Sequence, residues 1–299
     1  MRKKAAKEMI YPDWLGDNYE NYRYLLKHYA TYSHEQPPWN SSFVCTTVET
    51  DAGLRYLKEA YRLDKLVHNS KGDFDTCLKA MEWTFCQLLS REKQEFAGPL
   101  CALEILNFSR TNHVTVNCLC HATVLTEVLL ALGFRARALM CLPIDLVPLD
   151  NHVVTEVYVS SLDRWIMLDP ALCCYAQDEK GITLSLQEIR ERLIDDRPFN
   201  VCPYGRFQHS AAPNSFAPFD PQEYRGYLMK NLFRFMSRNV QGAAPAAPGD
   251  IYYSLVPAGY LAAPVEQTHT HGGTKIVRVT DNADFFWRSE GFLGESNGL

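Results

Sequence analysis

Nowhere in this 299-residue chain is there an apolar run approaching the roughly 18 residues that a membrane-spanning helix needs, so no membrane partner is expected. The basic start, MRKKAAKEMIYPDWLGDNYE, lacks the apolar stretch of about 7–15 residues that marks a secretory signal. Positive charge is also in short supply. Lys and Arg number 30 against 35 Asp and Glu, and a net charge of -5 argues against the basic face of a nucleic-acid binder. No G-x-G-x-x-G or G-x-x-x-x-G-K-[ST] run occurs, which removes the sequence basis for nucleotide binding. Calcium loops of the D-x-D-x-D-G type and paired C-x-x-C modules are missing too. No metal or other cofactor is therefore expected. No internal repeat appears.

Hydrophobic residues make up 46% of the chain and charged residues 22%, the proportions of an ordinary globular protein with a substantial core. The ten cysteines are scattered, and Cys77, Cys86 and Cys101 fall inside apolar helical patterns. Free thiols in a reducing cytoplasm are the expectation.

Residues 16–34 are expected to form a tyrosine-rich helix stopped by Pro37 and Pro38, followed by helices over 51–68 and 74–90 and a short one opened by Pro99. After Asn117 a helix should run to Leu132, with Val124, Leu125, Val128 and Leu129 on one stripe and Gly133 as its stop. Strands are expected over 134–142, 152–159 and 164–168, the last two joined by the tight turn SSLD. Helices over 184–195 and 221–238, a flexible loop over 239–250 and two strands from IYYSLVPAGYL and TKIVRVTD complete the reading. The fold class is α+β, a single domain over 1–299. It divides into a helical part (1–98), a core (99–172) and C-terminal helices and strands that complete it (173–299).

Within the core, Cys118 opens a helix, His152 opens a strand and Asp169 ends the next one. A cysteine attacks as its thiolate, and the unpaired N–H groups and positive dipole end of a helix N-terminus favour that anion. Asn117 suits the N-cap. If the 152–159 and 164–169 strands pair symmetrically around residues 160–162, His152 lies opposite 169–171, within reach of the Asp169 carboxylate. Alternation puts His152, Val154, Glu156 and Tyr158 on one face, and Trp165, Met167 and Asp169 together on the returning strand. The helix bearing Cys118 is expected to pack on the His152–Asp169 face.

The pieces NCLCHATVLTEVLLALGFRAR, HVVTEVYV and RWIMLDP, in that order, resemble the transglutaminase-like superfamily of papain-like cysteine enzymes over residues 100–172, roughly a quarter of the chain. That resemblance implies a papain-like/transglutaminase-like core, with the Cys-bearing helix packed on an antiparallel sheet. In the family the cysteine lies fifteen residues before the glycine of the helix-ending LG pair, and Cys118 stands fifteen before Gly133 whereas Cys120 stands thirteen. The resemblance so selects Cys118 as nucleophile, His152 as base and Asp169 as its orienting carboxylate. The chain departs from the family in carrying Asn117 where a small residue often precedes the cysteine. Asn112, His113 or the backbone N–H at Cys118 are candidates for the oxyanion site.

His121, one helical turn from Cys118, is an alternative base that lacks an evident carboxylate partner. Cys118, Cys120 and His121 with Cys173 and Cys174, or His269 with His271, could hold a metal, although neither set has zinc-module spacing. Glu156 and Tyr158 line a cleft or simply face polar surroundings; Trp165 fills core; Arg135 and Arg137 cover a solvated face. The expected activity is cysteine-dependent acyl transfer on an amide or peptide bond, by a protease or amidase more than by a cross-linking transferase. A protein or peptide is the expected substrate, and the oligomeric state is left open. The alternative is a catalytically inactive binding module of the same fold.

Overall fold

The computed structural model describes residues 19–39, 43–90, 92–146, 150–205, 220–269 and 274–288. The helical first third comprises α1 (Tyr19–His28), α2 (Ala52–Tyr61), α3 (Asp64–His68) and α4 (Asp73–Gln87), with α5 (Ala102–Asn112) following. Two-residue strands β1 (Val44–Cys45), β2 (Glu92–Lys93) and β3 (Val114–Thr115) punctuate it. The single helix expected over 51–68 is two, because Arg62 adopts a left-handed conformation (φ 51°) and closes α2. Positions 16–18 of the first expected helix lie outside the described residues.

Next come α6 (Cys118–Ala131), β4 (Arg135–Leu142), β5 (His152–Val159), β6 (Arg164–Asp169) and β7 (Cys174–Gln177). They are followed by α7 (Leu186–Ile194), β8 (Asn200–Pro203), α8 (Pro221–Asn231), β9 (Arg234–Arg238) and β10 (Val240–Gln241). The chain ends in β11 (Asp250–Leu255), β12 (Val265–His269), β13 (Lys275–Thr280) and α9 (Ala283–Arg288). Nine strands form one sheet in the order β12-β13-β11-β9-β4-β5-β6-β7-β8, antiparallel except where β11 runs parallel to β13.

The helix expected over 221–238 is wrong in its second half. It stops at Asn231, and Arg234–Arg238 is a strand paired with both β4 and β11. The stretch FRFM alternates as well as it spirals, and Phe233 and Phe235 bury completely or nearly so in the sheet-side core. Tertiary pairing decided between the two periods. The loop expected over 239–250 contains β10, which pairs in parallel with β1.

Gly133 (φ 90°) follows α6 in a conformation only glycine adopts without strain, so the chain turns directly into β4. On α6, Val124, Leu125, Val128 and Leu129 are wholly buried, each worth about 1.5–3 kcal/mol against exposure. They pack with Val157, Val159, Ile166 and Leu168 on one sheet face, whose cover is completed by α2, α4 and α5. The opposite face, with Leu139, Val154 and Met167, packs against α7 and α8 through Ile189, Tyr224 and Leu228. Arg190, almost fully buried, donates to the carbonyls of Tyr29, Ala30 and Leu232 and so ties α7 to the ends of α1 and α8. No helix among the described residues is long and apolar enough to cross a membrane.

Candidate active site

Asn117, extended at φ -77° and ψ 173°, caps α6 by accepting the N–H of Cys120 at 3.1 Å. The amides of Cys118 and Leu119 thus stay outside the helical ladder, where their N–H groups face whatever sits at the helix end. Pairing Thr155↔Leu168 through Val159↔Arg164 turns the chain around a 3-10 turn at Ser160–Leu162. Continuing that register by one pair brings Asp169 opposite Val154, on the same face as His152.

His152 Nε2 donates to Asp169 Oδ2 at 2.6 Å, in a place where neither side chain is appreciably exposed. The Cys118 thiol, half-buried, lies near enough to the same imidazole and to the backbone N–H of Val153 for both to act on its charge. With Nε2 engaged by the carboxylate, Nδ1 is the nitrogen left for the sulfur. The structure therefore brings Cys118, His152 and Asp169 into one chain of contacts.

It does so by a different route from the one expected. α6 packs on the Val153/Thr155/Val157 face, where Thr155 donates to the Ala122 carbonyl, and not on the His152–Asp169 face. The apolar stripe of α6 matches the valines and isoleucine of that face, and the other face is already filled by α7 and α8.

Electrostatics follow from these contacts. Burial by itself would raise the Cys118 pKa, but the hydrogen bond and positive charge of His152, with the Val153 N–H, hold it below that of an ordinary thiol. Burial disfavours a charged His152, yet the Asp169 charge and hydrogen bond, reinforced by Cys118, push its pKa up to about 10. Against the same burial penalty, Asp169 stays below the usual carboxylate range because His152, Tyr224 and the Leu172 N–H all favour its anion. The arrangement favours a thiolate–imidazolium pair. The other cysteines with resolved shifts all move upward through burial, with Cys120 at about 12. None of the ten cysteines is joined in a disulfide.

Two tyrosines of α8 complete the surroundings and were not singled out from the sequence. Tyr224 donates its hydroxyl to Asp169 Oδ2 at 2.6 Å. Tyr227 sets its ring edge-on to His152, with centroids 5.3 Å apart, and donates to the Asn151 carbonyl. Lys230 of the same helix pairs with Asp150. The local pattern of α8 carries no signal for this, since Tyr224 lies 55 residues from its partner.

Other expectations are corrected. His121 is buried, bonded through Nδ1 to the Pro170 carbonyl and through Nε2 to the Thr115 hydroxyl, and burial drops its pKa to about 4. It fastens α6 to the segment after Asp169, and both its ring nitrogens are engaged in these bonds although it lines the same cleft as Cys118. Arg137 does not face solvent. It is fully buried, pairs with Glu156 at 2.8 Å and lies against the rings of Phe43, Trp165, Phe286 and Trp287. Glu156 also accepts the Leu186 N–H, so its place is structural and not in the cleft. Arg135 stacks on Tyr158, whose hydroxyl donates to Asp163. Trp165 is partly buried at the edge of the α7–α8 core.

Asn112 bonds back to the Phe108 carbonyl, and His113 lines a separate cavity, so neither reaches the cleft holding Cys118. Cys173 and Cys174 are buried and His269 sits beside Gln267; His271 lies outside the described residues. Among the described residues no group of three or more His, Cys, Asp or Glu is arranged to hold a metal.

A cleft of about 620 Å³ opens at this end of the sheet, lined by Asn117, Cys118, Leu119, Val153, Leu172 and Tyr227 among others. The sulfur is therefore reachable from solvent while the His152–Asp169 bond is sealed beneath it.

No family model and no curated protein matches the chain. Among solved structures, a match is found to one described as "a Putative Cysteine Protease from Cytophaga hutchinsonii", at 17% identity and a TM-score of 0.29. The match covers 51% of this chain and 47% of that one, so it spans about half the length of either protein.

Proposed function

We propose that this chain is a cysteine-dependent acyl-transfer enzyme that cleaves an amide or peptide bond, with Cys118 as nucleophile, His152 as general base and acid, and Asp169 as the group that orients His152. The observation that carries the proposal is the His152 ring bridging the Cys118 sulfur and the Asp169 carboxylate at a helix N-terminus. The resemblance of NCLCHATVLTEVLLALGFRAR, HVVTEVYV and RWIMLDP to the transglutaminase-like superfamily supports the same three roles.

The Cys118 thiolate adds to the carbonyl carbon, and the oxygen takes the electron pair, stabilised by the free N–H groups at the start of α6. Collapse expels the amine, which receives its proton from His152 Nδ1 and leaves a thioester. His152 then takes a proton from water as the water attacks, and the acid is released with the thiol regenerated. An open cleft admits water at that second step, which favours hydrolysis over cross-linking.

Alkylation with iodoacetamide at pH 6, followed by peptide mapping, tests the first requirement. Cys118 is expected to react at least tenfold faster than each of the other nine cysteines, and the advantage is expected to vanish in His152→Ala. Uniform slow alkylation of all ten would leave the inactive-module alternative standing.

A further inference from the structure

Beside the cleft lies a smaller cavity of about 60 Å³ that shares three walls with it, Leu119, Met140 and Val153. Beyond them it is lined by Leu100, Val240, Ala246 and Tyr252 and ends at Glu127. Resting on the acyl-transfer reading above, the geometry points to this cavity as the subsite for the side chain on the acyl side of the scissile bond, selecting a short aliphatic group.

Three observations converge. The first concerns direction. The leaving amine must lie where His152 can protonate it, and the groups flanking His152 in the cleft are Asp150, Asn151 and Tyr227. None of these three lines the smaller cavity, which meets the cleft at Leu119, the neighbour of Cys118, and so offers the acyl half of a substrate a place away from the leaving amine.

The second is size. An apolar cavity of about 150 Å³ accommodates a benzene ring, and one water occupies about 30 Å³. At the roughly 25 Å³ per carbon this implies, a space of about 60 Å³ takes two or three carbons, an alanine-to-valine side chain, and refuses leucine or an aromatic ring.

The third is charge. Glu127 is almost completely buried, accepts the Ala102 N–H at 3.0 Å, and is held as the neutral acid up to about pH 8 by burial. The Arg238 guanidinium on the far wall pairs with Asp250 at 2.8 Å and donates to the Ala244 carbonyl. A charged side chain entering here loses its hydration: a cation meets the Arg238 guanidinium, and an anion meets one whose charge Asp250 already offsets.

The test uses the intact chain and a series of N-acetyl-aminoacyl fluoromethyl ketones bearing the glycine, alanine, valine, leucine, phenylalanine, lysine or glutamate side chain. The Cys118 thiolate forms a C–S bond with the methylene and fluoride departs, so each labelling rate reports how well that side chain seats. Alanine or valine probes are expected to label Cys118 at least tenfold faster than leucine, phenylalanine, lysine and glutamate probes. Ala246→Leu and Thr123→Leu, which fill the cavity, should bring the alanine and valine probes down to the glycine rate. A flat series, or leucine, lysine or phenylalanine leading, overturns the subsite. If iodoacetamide still singles out Cys118 in that case, the acyl-transfer reading survives its loss. If iodoacetamide does not single out Cys118, both fall together.

Discussion

Asp169 accepts from His152 and Tyr224 on one oxygen and from the Ala171 and Leu172 amides on the other, which is why a carboxylate with no exposure remains ionised. A hydrogen bond to a charged group is worth about 1.5–3 kcal/mol. Tyr224→Phe, which deletes one donor and keeps the ring, is expected to lower stability by about that amount in urea unfolding and to slow alkylation of Cys118. The shared face of His152 and Asp169 was legible from alternation together with a tight turn at 160–162, because a short hairpin turn fixes the register that two-residue periodicity leaves open. Arg137 was not legible. Its burial depends on Glu156 standing opposite it in the β4–β5 pairing, and no local pattern fixes that register. Removing one partner of a buried pair strands the other, at a cost of about 3–5 kcal/mol. Arg137→Met should destabilise by that much, and Arg137→Met with Glu156→Leu should recover part of it, as measured in a double-mutant cycle by denaturant titration.

For α6, the ends were readable and the packing face was not. Capping is local: Asn117 and Gly133 each act within a few residues, and the observed helix begins and stops where those two residues place it. The choice of face depends on which valines of β5 remain uncovered once α7 and α8 have docked, a fact spread over some 70 residues of chain. The same holds for β9, where FRFM offered two periods and the exposed edges of β4 and β11 selected one. The cap has a functional consequence that can be measured. Asn117→Ala leaves the Cys120 N–H without its acceptor and should cost about 1 kcal/mol. Asn117→Asp keeps an oxygen in place, so its melting temperature should stay near the wild type. It also adds a negative charge beside the thiolate, so the pH at which Cys118 half-ionises, read from the pH dependence of its alkylation rate, should rise.

Across the whole molecule, four buried titrating groups set how stability varies with pH. His121, with its pKa dropped from 6.5 to about 4, is neutral in the fold and costs stability as pH falls below 6.5. Glu127, raised from 4.5 to about 8, is protonated in the fold and costs stability as pH climbs from 4.5 to about 8. The two oppose each other between 4.5 and 6.5, so stability should vary little across that interval. His152, raised from 6.5 to about 10, contributes fully below 6.5 and loses its contribution as pH rises through about 10. Asp169, lowered from 3.8, contributes fully above that value and loses its contribution as pH falls through its depressed pKa in the fold. The unfolding midpoint in urea should therefore be broad and highest in mildly acidic solution and fall on the alkaline side in two stages. Glu127→Gln should remove the part of the decline between pH 6.5 and 8. His152→Ala should make the decline from 8 to 10 shallower, leaving the part that comes from the buried cysteines, whose pKa burial raises and which therefore cost stability once an unfolded thiol would ionise. Wild-type and variant midpoints measured at half-unit pH steps separate the two stages. An alkaline decline identical in all three proteins would show that neither group titrates as its contacts require.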